Sequence, residues 1–392
     1  MKTPQGFIYS AVEVAIKKPG RKDLALICSK TECTMAGMFT LNKVKAAPVL
    51  LDMQKIKSGK GNAVIVNSGN ANACTGARGM NDAAAMSKAV ASALGLKDSM
   101  VYVCSTGVIG TPMPIEKIKA KIPELASAAN RHSFMDVATA IMTTDTFTKT
   151  SHRQITVDGK KITISGMCKG AGMISPNMAT MLCFIITDAA IQKNALTAAF
   201  KNAIRRSFNR ITIDGDMSTN DTALVMANGE AGNDPIALKS PDYPKFEAAL
   251  SNVAYELSRM IAKDGEGATK LIEIHLKNAK NEKEAEKAAF VIANSMLVKT
   301  AFYGNDANWG RIMAALGRSG IALKEDAVDI FINGVKVVSK GLTNGKDGEA
   351  NKKLRTDEVK LVVDLKLGKN SVKVLTCDFS EDYVKINAEY RT

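Results

Sequence analysis

The chain has 392 residues, of which 46% are hydrophobic and 23% are charged, enough for a large buried core or two domains. No apolar run approaches the length that crosses a bilayer and the first residues lack the apolar core of a signal peptide, so we expect a cytoplasmic protein with no membrane partner. The net charge of +14 would suit nucleic acid, but the lysines are dispersed and only 5% of residues are aromatic, so anionic small molecules are the favoured partners.

Strands and helices alternate along the first part of the chain. Residues 24–28 and 63–66 are short β-rich runs, and the second run ends in a loop rich in Ser, Gly and Asn before a helix that extends to residue 94. Residues 100–104 repeat this strand-to-loop pattern and lead into Ser105-Thr106-Gly107. The sequence therefore predicts that Thr106 and Gly107 lie where a strand ends.

The same alternation continues to the end of the chain. Residues 155–164 predict a hairpin, because Asp158-Gly159 is a dipeptide typical of a tight β-turn. The later predicted elements are helices at 193–208, through 255–257 and at 285–293, and strands at 271–274, 359–365 and 372–375. This order predicts an α/β (α+β) fold with mixed sheets and packed helices.

The stretch from residue 169 to residue 186 carries the most specific chemistry. A glycine-rich run allows close backbone approach at Gly170 and Gly172, and the small Ala179 leaves its carbonyl open to attack by the side chain of Thr180. A threonine hydroxyl is a weak nucleophile until a base lies beside it, and one such base is the α-amino group of the same threonine. That amino group exists only after the preceding peptide bond is cut.

The sequence therefore predicts self-cleavage between Ala179 and Thr180. The products are an α segment, 1–179, which carries the predicted loop at Thr106, and a β segment, 180–392, which begins with the nucleophile. We expect the two segments to fold together before the cut.

The same stretch resembles the processing motif of the glutamate N-acetyltransferase / ornithine acetyltransferase family of arginine biosynthesis, in which a precursor cuts itself between Ala and Thr. The motif is Lys169-Gly-Ala-Gly-Met-Ile-Ser-Pro-Asn-Met-Ala-Thr-Met-Leu182. Further matching blocks lie at 46–49, 67–76, 105–110, 214–221, 265–270 and 308–311. The resemblance implies a layered fold like that of self-cleaving aminopeptidases and ornithine acetyltransferases.

The resemblance also implies roles for individual residues. Thr106 and Gly107 match the oxyanion hole, and a threonine hydroxyl with a glycine N–H at a strand end can supply the donors that a tetrahedral intermediate needs. The residues that match substrate-binding positions are Thr143, Lys169, Thr180, Glu266, Asn387 and Thr392. The adjacent Thr144 leaves the register of Thr143 open, and Glu266 can hold the amino group of ornithine or glutamate through a charge-assisted hydrogen bond.

The implied reaction is acetyl transfer. Thr180 takes the acetyl group of N-acetylornithine as an ester, ornithine leaves, and glutamate then accepts the acetyl group in a ping-pong cycle that needs neither a metal nor a tightly bound cofactor. The sequence leaves open whether acetyl-CoA is a second donor, as in bifunctional members. The implied assembly is a heterotetramer of two α and two β chains.

One other enzyme class remains open: a hydrolase of the self-cleaving β-peptidase kind, which would pass the acyl group to water. Nucleic-acid binding is the non-enzyme alternative that the net charge raises, but the dispersed lysines and scarce aromatic residues count against it, so no nucleic-acid partner is expected. No metal site is predicted, because the three histidines, at 132, 152 and 275, lie in no cluster with cysteine or carboxylate.

Three further blocks have weaker interpretations. Residues 214–221 superficially suggest a calcium loop but lack its ligand spacing, so a tight turn near the site is predicted instead. Residues 304–311, with the single tryptophan, predict a buried turn that opens a helix. Residues 67–76 are rich in side chains that bond the backbone, and we expect them to support the oxyanion loop.

Overall fold

The computed structural model describes residues 1–128, 132–175 and 181–389. The chain divides into two compact units that interleave along the sequence. The first unit comprises Met1–Gly170, Asn177–Asn209 and Met217–Ile261, and the second comprises Ala171–Pro176, Arg210–Asp216 and Ala262–Thr392. No helix in the described ranges is long and apolar enough to cross a membrane.

The first unit holds the larger sheet. Its strands are β1 Phe7–Val12, β2 Leu24–Phe39, β3 Lys60–Asn70, β4 Val101–Val108, β5 Lys149–Val157, β6 Lys160–Lys169, β7 Leu182–Thr187 and β8 Thr222–Ala227. Its helices are α1 Ala47–Lys55, α2 Gly76–Leu94, α3 Ile115–Ser127, α4 Phe134–Ala140, α5 Lys193–Arg206 and most of α6 Tyr243–Lys263.

This sheet is mixed. The strand order is β4-β3-β2-β8-β7-β6-β5, with β1 paired to β2. The pairs β3–β4 and β7–β8 are parallel, and the other neighbours are antiparallel. Side chains of β3 alternate between faces: Ala63 and Ile65 pack in the cluster that contains α2 and α3, while Val64 and Val66 pack in the cluster that contains α4. Helices thus cover both faces around β3 and β4, which buries the strand ends that carry the candidate site.

The second unit has a six-stranded sheet of its own. Its strands are β9 Leu271–Ala279, β10 Asp329–Ile332, β11 Val335–Ser339, β12 Leu342–Thr343, β13 Glu358–Asp364 and β14 Asn370–Cys377. Its helices are α7 Glu282–Ala293, α8 Met296–Tyr303, α9 Trp309–Gly317, α10 Asp347–Lys353 and α11 Glu381–Ala388. The strand order is β12-β11-β10-β13-β9-β14, and only β9–β13 is parallel among these described pairs.

The α/β fold class with mixed sheets is confirmed. The predicted hairpin is also confirmed: β5 and β6 pair across Asp158 and Gly159, whose φ angles of 48° and 71° suit a type I′ turn. The two compact units do not divide at residue 179, because β7 and β8 pair with strands that precede the predicted cut. The division into 1–179 and 180–392 therefore concerns the covalent chain and stays a prediction.

Candidate active-site residues

Thr106 and Gly107 lie at the end of β4, where this strand meets the end of β3. Ser68 pairs with Thr106 and Gly69 with Gly107 in parallel register. The φ of Gly107 is 138°, and a Cβ added there would lie 2.2 Å from the carbonyl carbon of Gly69. Only glycine fits so close an approach, which leaves the backbone of this strand end uncovered by any side chain of residue 107.

Lys169, the last residue of β6, brings three of the predicted residues together. Its Nζ donates to Thr143 Oγ1 at 2.7 Å and to Thr106 Oγ1 at 3.4 Å. Lys169 is 3% exposed and Thr106 is 5% exposed, so these contacts are shielded from water. Thr143 is thus hydrogen-bonded to Lys169, and its assignment to substrate binding, with Thr144 as the alternative, stays a prediction.

Asp145 neutralises this buried lysine, and the sequence analysis assigned it no role. Its Oδ1 accepts from Lys149 Nζ at 2.6 Å and from the Gly170 N–H at 2.7 Å, and its Oδ2 lies 4.0 Å from Lys169 Nζ. Burial raises the pKa of Asp145, but the ammonium groups of Lys169 and Lys149 and the Gly170 N–H outweigh it and lower that pKa to about 2. The Thr143 N–H also donates to Asp145, at 3.0 Å. The carboxylate therefore fixes both ends of the Lys169–Thr143 contact.

The block 67–76 contacts the strand that carries Thr106. Asn67 Oδ1 accepts from Ser105 Oγ at 2.6 Å, one residue before Thr106. Asn220 Nδ2 donates to the carbonyl of Ser105 at 2.8 Å and to that of Ala71 at 2.6 Å. These buried amides tie the block to β4, next to Thr106.

Ala179 and Thr180 lie outside the described residues, and so does Thr392. Met181, the residue after Thr180, is described, and its N–H donates to Asp221 Oδ1 at 3.0 Å. Asp221 is fully buried just before β8, and burial raises the pKa of its carboxyl well above the usual value.

Glu266 and Asn387 come together in the second unit. Asn387 Nδ2 donates to Glu266 Oε2 at 2.9 Å, and the Glu266 N–H donates to the Ala171 carbonyl at 2.8 Å. A Cβ at Gly172 would lie 2.4 Å from Glu266 Oε2. The glycine-rich run therefore has a specific use here, because Gly172 leaves room for the carboxylate of Glu266.

The prediction of a tight turn at 214–221 is consistent with the structure of its first residues. Gly215 has a φ of 83°, and the Asp214 carboxylate accepts from the N–H groups of Met173 at 2.6 Å and Ile174 at 2.8 Å. Tyr383 on α11 also donates to Asp214, at 3.3 Å. Asp214 thus binds main-chain groups, and no cluster of three or more metal-binding side chains occurs among the residues that the structure describes.

The block 304–311 opens a helix, as predicted. Asn308 caps α9 by accepting from the Arg311 N–H at 3.3 Å. Trp309 is half-buried against the core of the second unit rather than fully buried.

Known proteins resemble this chain over nearly its whole length. The ArgJ family model matches residues 9–392. The chain is 53% identical over 390 residues to the Arginine biosynthesis bifunctional protein ArgJ of Geobacter sulfurreducens, with 99% of each chain covered. It is 50% identical to the protein of that name from Caldanaerobacter subterraneus subsp. tengcongensis, covering 99% of this chain and 98% of the relative. The crystal structure of the Bacillus halodurans protein of that name is 43% identical with a TM-score of 0.51, covering 52% of this chain and 97% of that chain.

Proposed function

The chain belongs to the ArgJ family, and from this premise we propose that it transfers the acetyl group of N-acetylornithine to glutamate. The products are ornithine and N-acetylglutamate. Acetyl-CoA is proposed as a second acetyl donor, in keeping with the word "bifunctional" in the names of the relatives.

Thr180 is the proposed nucleophile. Its Oγ attacks the acetyl carbonyl while its own α-amino group takes the hydroxyl proton, and that proton then passes to the departing nitrogen of ornithine. The C–N bond of N-acetylornithine breaks and an acetyl ester forms on Thr180. Glutamate reverses these steps: its amino group attacks the ester, and the hydroxyl of Thr180 regains a proton.

The contact between Lys169 and Thr106 is the observation that carries this proposal. Because Lys169 Nζ donates to Thr106 Oγ1, that oxygen acts as an acceptor towards lysine and its own hydrogen is free to point elsewhere. The Thr106 hydroxyl and the Gly107 N–H can then donate to the oxyanion of the tetrahedral intermediate. Asp145 balances the buried charge of Lys169, so this arrangement exists before substrate binds.

The remaining substrate roles follow the same chemistry. Lys169 and Thr143 are proposed to bind an anionic part of the amino-acid substrate, and Glu266 with Asn387 to hold its amino group. Thr392 is proposed as a further substrate contact. The reaction needs no metal and no tightly bound cofactor.

Self-cleavage between Ala179 and Thr180 is part of the proposal, since the catalytic amine does not exist in the uncut chain. About half of this chain covers nearly all of the solved Bacillus halodurans chain, as a separate segment would allow. The active form is proposed to be a cytoplasmic heterotetramer of two 1–179 chains and two 180–392 chains.

A donor and acceptor assay tests the proposal. Purified protein is given N-acetylornithine with glutamate, acetyl-CoA with glutamate, or N-acetylornithine alone, and ornithine and N-acetylglutamate are measured. We expect N-acetylglutamate from the first mixture at a rate well above the release of ornithine without glutamate. Equal release with and without glutamate, and no N-acetylglutamate, would instead identify a hydrolase.

A further inference from the structure

A cleft of about 550 Å³ in the first unit opens next to Thr143 and Asp145. The side chain of Asp145 is fully buried, whereas that of Lys22 across the cleft is 41% exposed, so the cleft leads from the candidate site towards solvent. Arg21 and Asp136 also line it. No role was predicted from the sequence for Arg21 or Lys22.

Arg21 lies beside the strand end that carries Thr106 and beside the segment that carries Thr143. Its Nη2 donates to the carbonyl of Met142, the residue before Thr143, and to Ser68 Oγ at 3.1 Å. Ser68 is the residue that pairs with Thr106 across β3 and β4. The guanidinium therefore lies close to Thr106 and Thr143, although residue 21 is remote from both in sequence.

The remaining N–H groups of this guanidinium are available to a ligand. Within the part of the chain that the structure describes, Nε and Nη1 of Arg21 donate to no acceptor. The nearest acidic side chains of the cleft are already used: Asp136 accepts from Lys22 at 3.0 Å and from the Ser133 N–H at 2.9 Å, and Asp145 accepts from Lys149. Both bidentate edges of a guanidinium include Nη2, whose two hydrogens are used here, so an incoming carboxylate would accept from Nη1 through a charge-assisted hydrogen bond.

The charges around the cleft favour an acidic ligand. Arg21 and Lys22 line it together with Asp136 and Asp145, and Asp145 in turn lies against two further lysines, Lys149 and Lys169. The cleft lining thus carries two cations and two carboxylates, and the carboxylate of Asp145 is already neutralised by two lysines behind it. Glutamate carries a second carboxylate only a few ångströms from its amino group, so an acceptor bound at Lys169 and Thr143 can place that carboxylate near Arg21, which bonds the residue before Thr143.

We propose that Arg21 binds the side-chain carboxylate of the acceptor glutamate and so selects a dicarboxylic amino acid for the second half of the reaction. This inference rests on the proposed acetyl transfer, because it concerns the step in which glutamate takes the acetyl group. N-acetylornithine carries an ammonium instead of a carboxylate at the end of its side chain, so the first half of the reaction gains nothing from Arg21.

The test separates the two halves of the reaction in the cleaved, full-length enzyme. The first half is measured as the burst of ornithine released from N-acetylornithine without an acceptor. The second is measured as KM and kcat for glutamate and for glutamine, which has nearly the same shape but no side-chain charge. The variants are Arg21→Met and the conservative Arg21→Lys, with Lys18→Met as the control at an exposed cation that does not line the cleft.

We expect Arg21→Met to raise the KM for glutamate by about tenfold or more, as loss of a charge-assisted pair does. Its KM for glutamine and its ornithine burst should stay within about twofold of wild type, so the preference for glutamate over glutamine collapses. Arg21→Lys should keep part of that preference, and Lys18→Met should leave it unchanged.

The inference is overturned if Arg21→Met weakens glutamate and glutamine equally, slows the ornithine burst as much as the full reaction, or changes only the use of acetyl-CoA. If wild-type enzyme gives no ornithine burst and no N-acetylglutamate, the proposed function itself fails. The two failures are thus distinguishable.

Discussion

Lys169 and Thr106 form the contact on which the candidate chemistry depends. Replacing Thr106 by Ala removes one of the two proposed oxyanion donors and leaves the Gly107 N–H in place. We predict a fall in kcat on the order of ten- to a thousandfold with little change in KM, because the lost hydrogen bond forms only in the transition state. Steady-state kinetics with N-acetylornithine and glutamate measure this. Thr197→Ala, on the exposed face of α5, is the control and should leave kcat unchanged.

Asp145 leads to a prediction about pH. Its folded-state pKa of about 2 lies below the value near 4 of an unfolded aspartate. A lowered pKa contributes stability that is complete above the unfolded value and is lost as the pH falls through the folded value, so the contribution disappears between about pH 4 and pH 2. Asp145→Asn should lower the free energy of unfolding by about 3 kcal/mol at pH 7, because it leaves buried lysines without their partner.

Denaturant unfolding of wild type and Asp145→Asn at several pH values checks this prediction. The difference between the two proteins should narrow as the pH falls from about 4 towards 2. A difference that stays constant over that range would mean that the charge of Asp145 does not stabilise the fold.

Some of these residues could be predicted from the sequence. Others could not, because only long-range contacts in the folded chain bring them to the site. Thr106, Gly107 and Lys169 lie in blocks that resemble a known family, and Thr143 matches a single position of it. The structure brings the side chains of Thr106, Thr143 and Lys169 together. Arg21 lies in no such block, and its contact with Met142 spans 121 residues, so local pattern cannot reveal it. For Asp145 the only available signal was an acid two residues after Thr143.

At the scale of single elements, helix α11 contributes little to the core of the second unit. None of its residues is buried. It is held by polar contacts, from Tyr383 to Asp214 and from Asn387 to Glu266. Removing residues 380–392 should therefore lower the free energy of unfolding by only about 1–2 kcal/mol, the value of a few hydrogen bonds.

The same truncation should raise the KM for the amino-acid substrates strongly, because Glu266 loses the partner that orients it. Thermal unfolding and steady-state kinetics on the truncated protein measure both effects, with Asn387→Ala as the matched single change. A truncated protein that unfolds far more easily would show that α11 is a structural element.

Element types were predictable from sequence where periodicity or turn chemistry was strong. The Asp158-Gly159 hairpin and the helices at 193–208 and 285–293 correspond to β5–β6, α5 and α7. The predicted strand 24–28 is the first part of a longer strand, β2, whose later residues pair with β8. Residues 359–365 and 372–375 follow each other in sequence, yet β13 and β14 lie on opposite sides of β9. Such pairing depends on tertiary packing that a single sequence does not display.

At the scale of the whole molecule, we propose that one chain becomes two and that the new amino terminus carries the acetyl group. Intact mass spectrometry of the purified protein tests this proposal. The masses are measured before and after incubation with N-acetylornithine in the absence of glutamate. We predict two chains, 1–179 and 180–392, of which only the second gains one acetyl group, about 42 Da, and loses it when glutamate is added. An uncut chain that is fully active, or an acetyl group found on 1–179, would contradict this account.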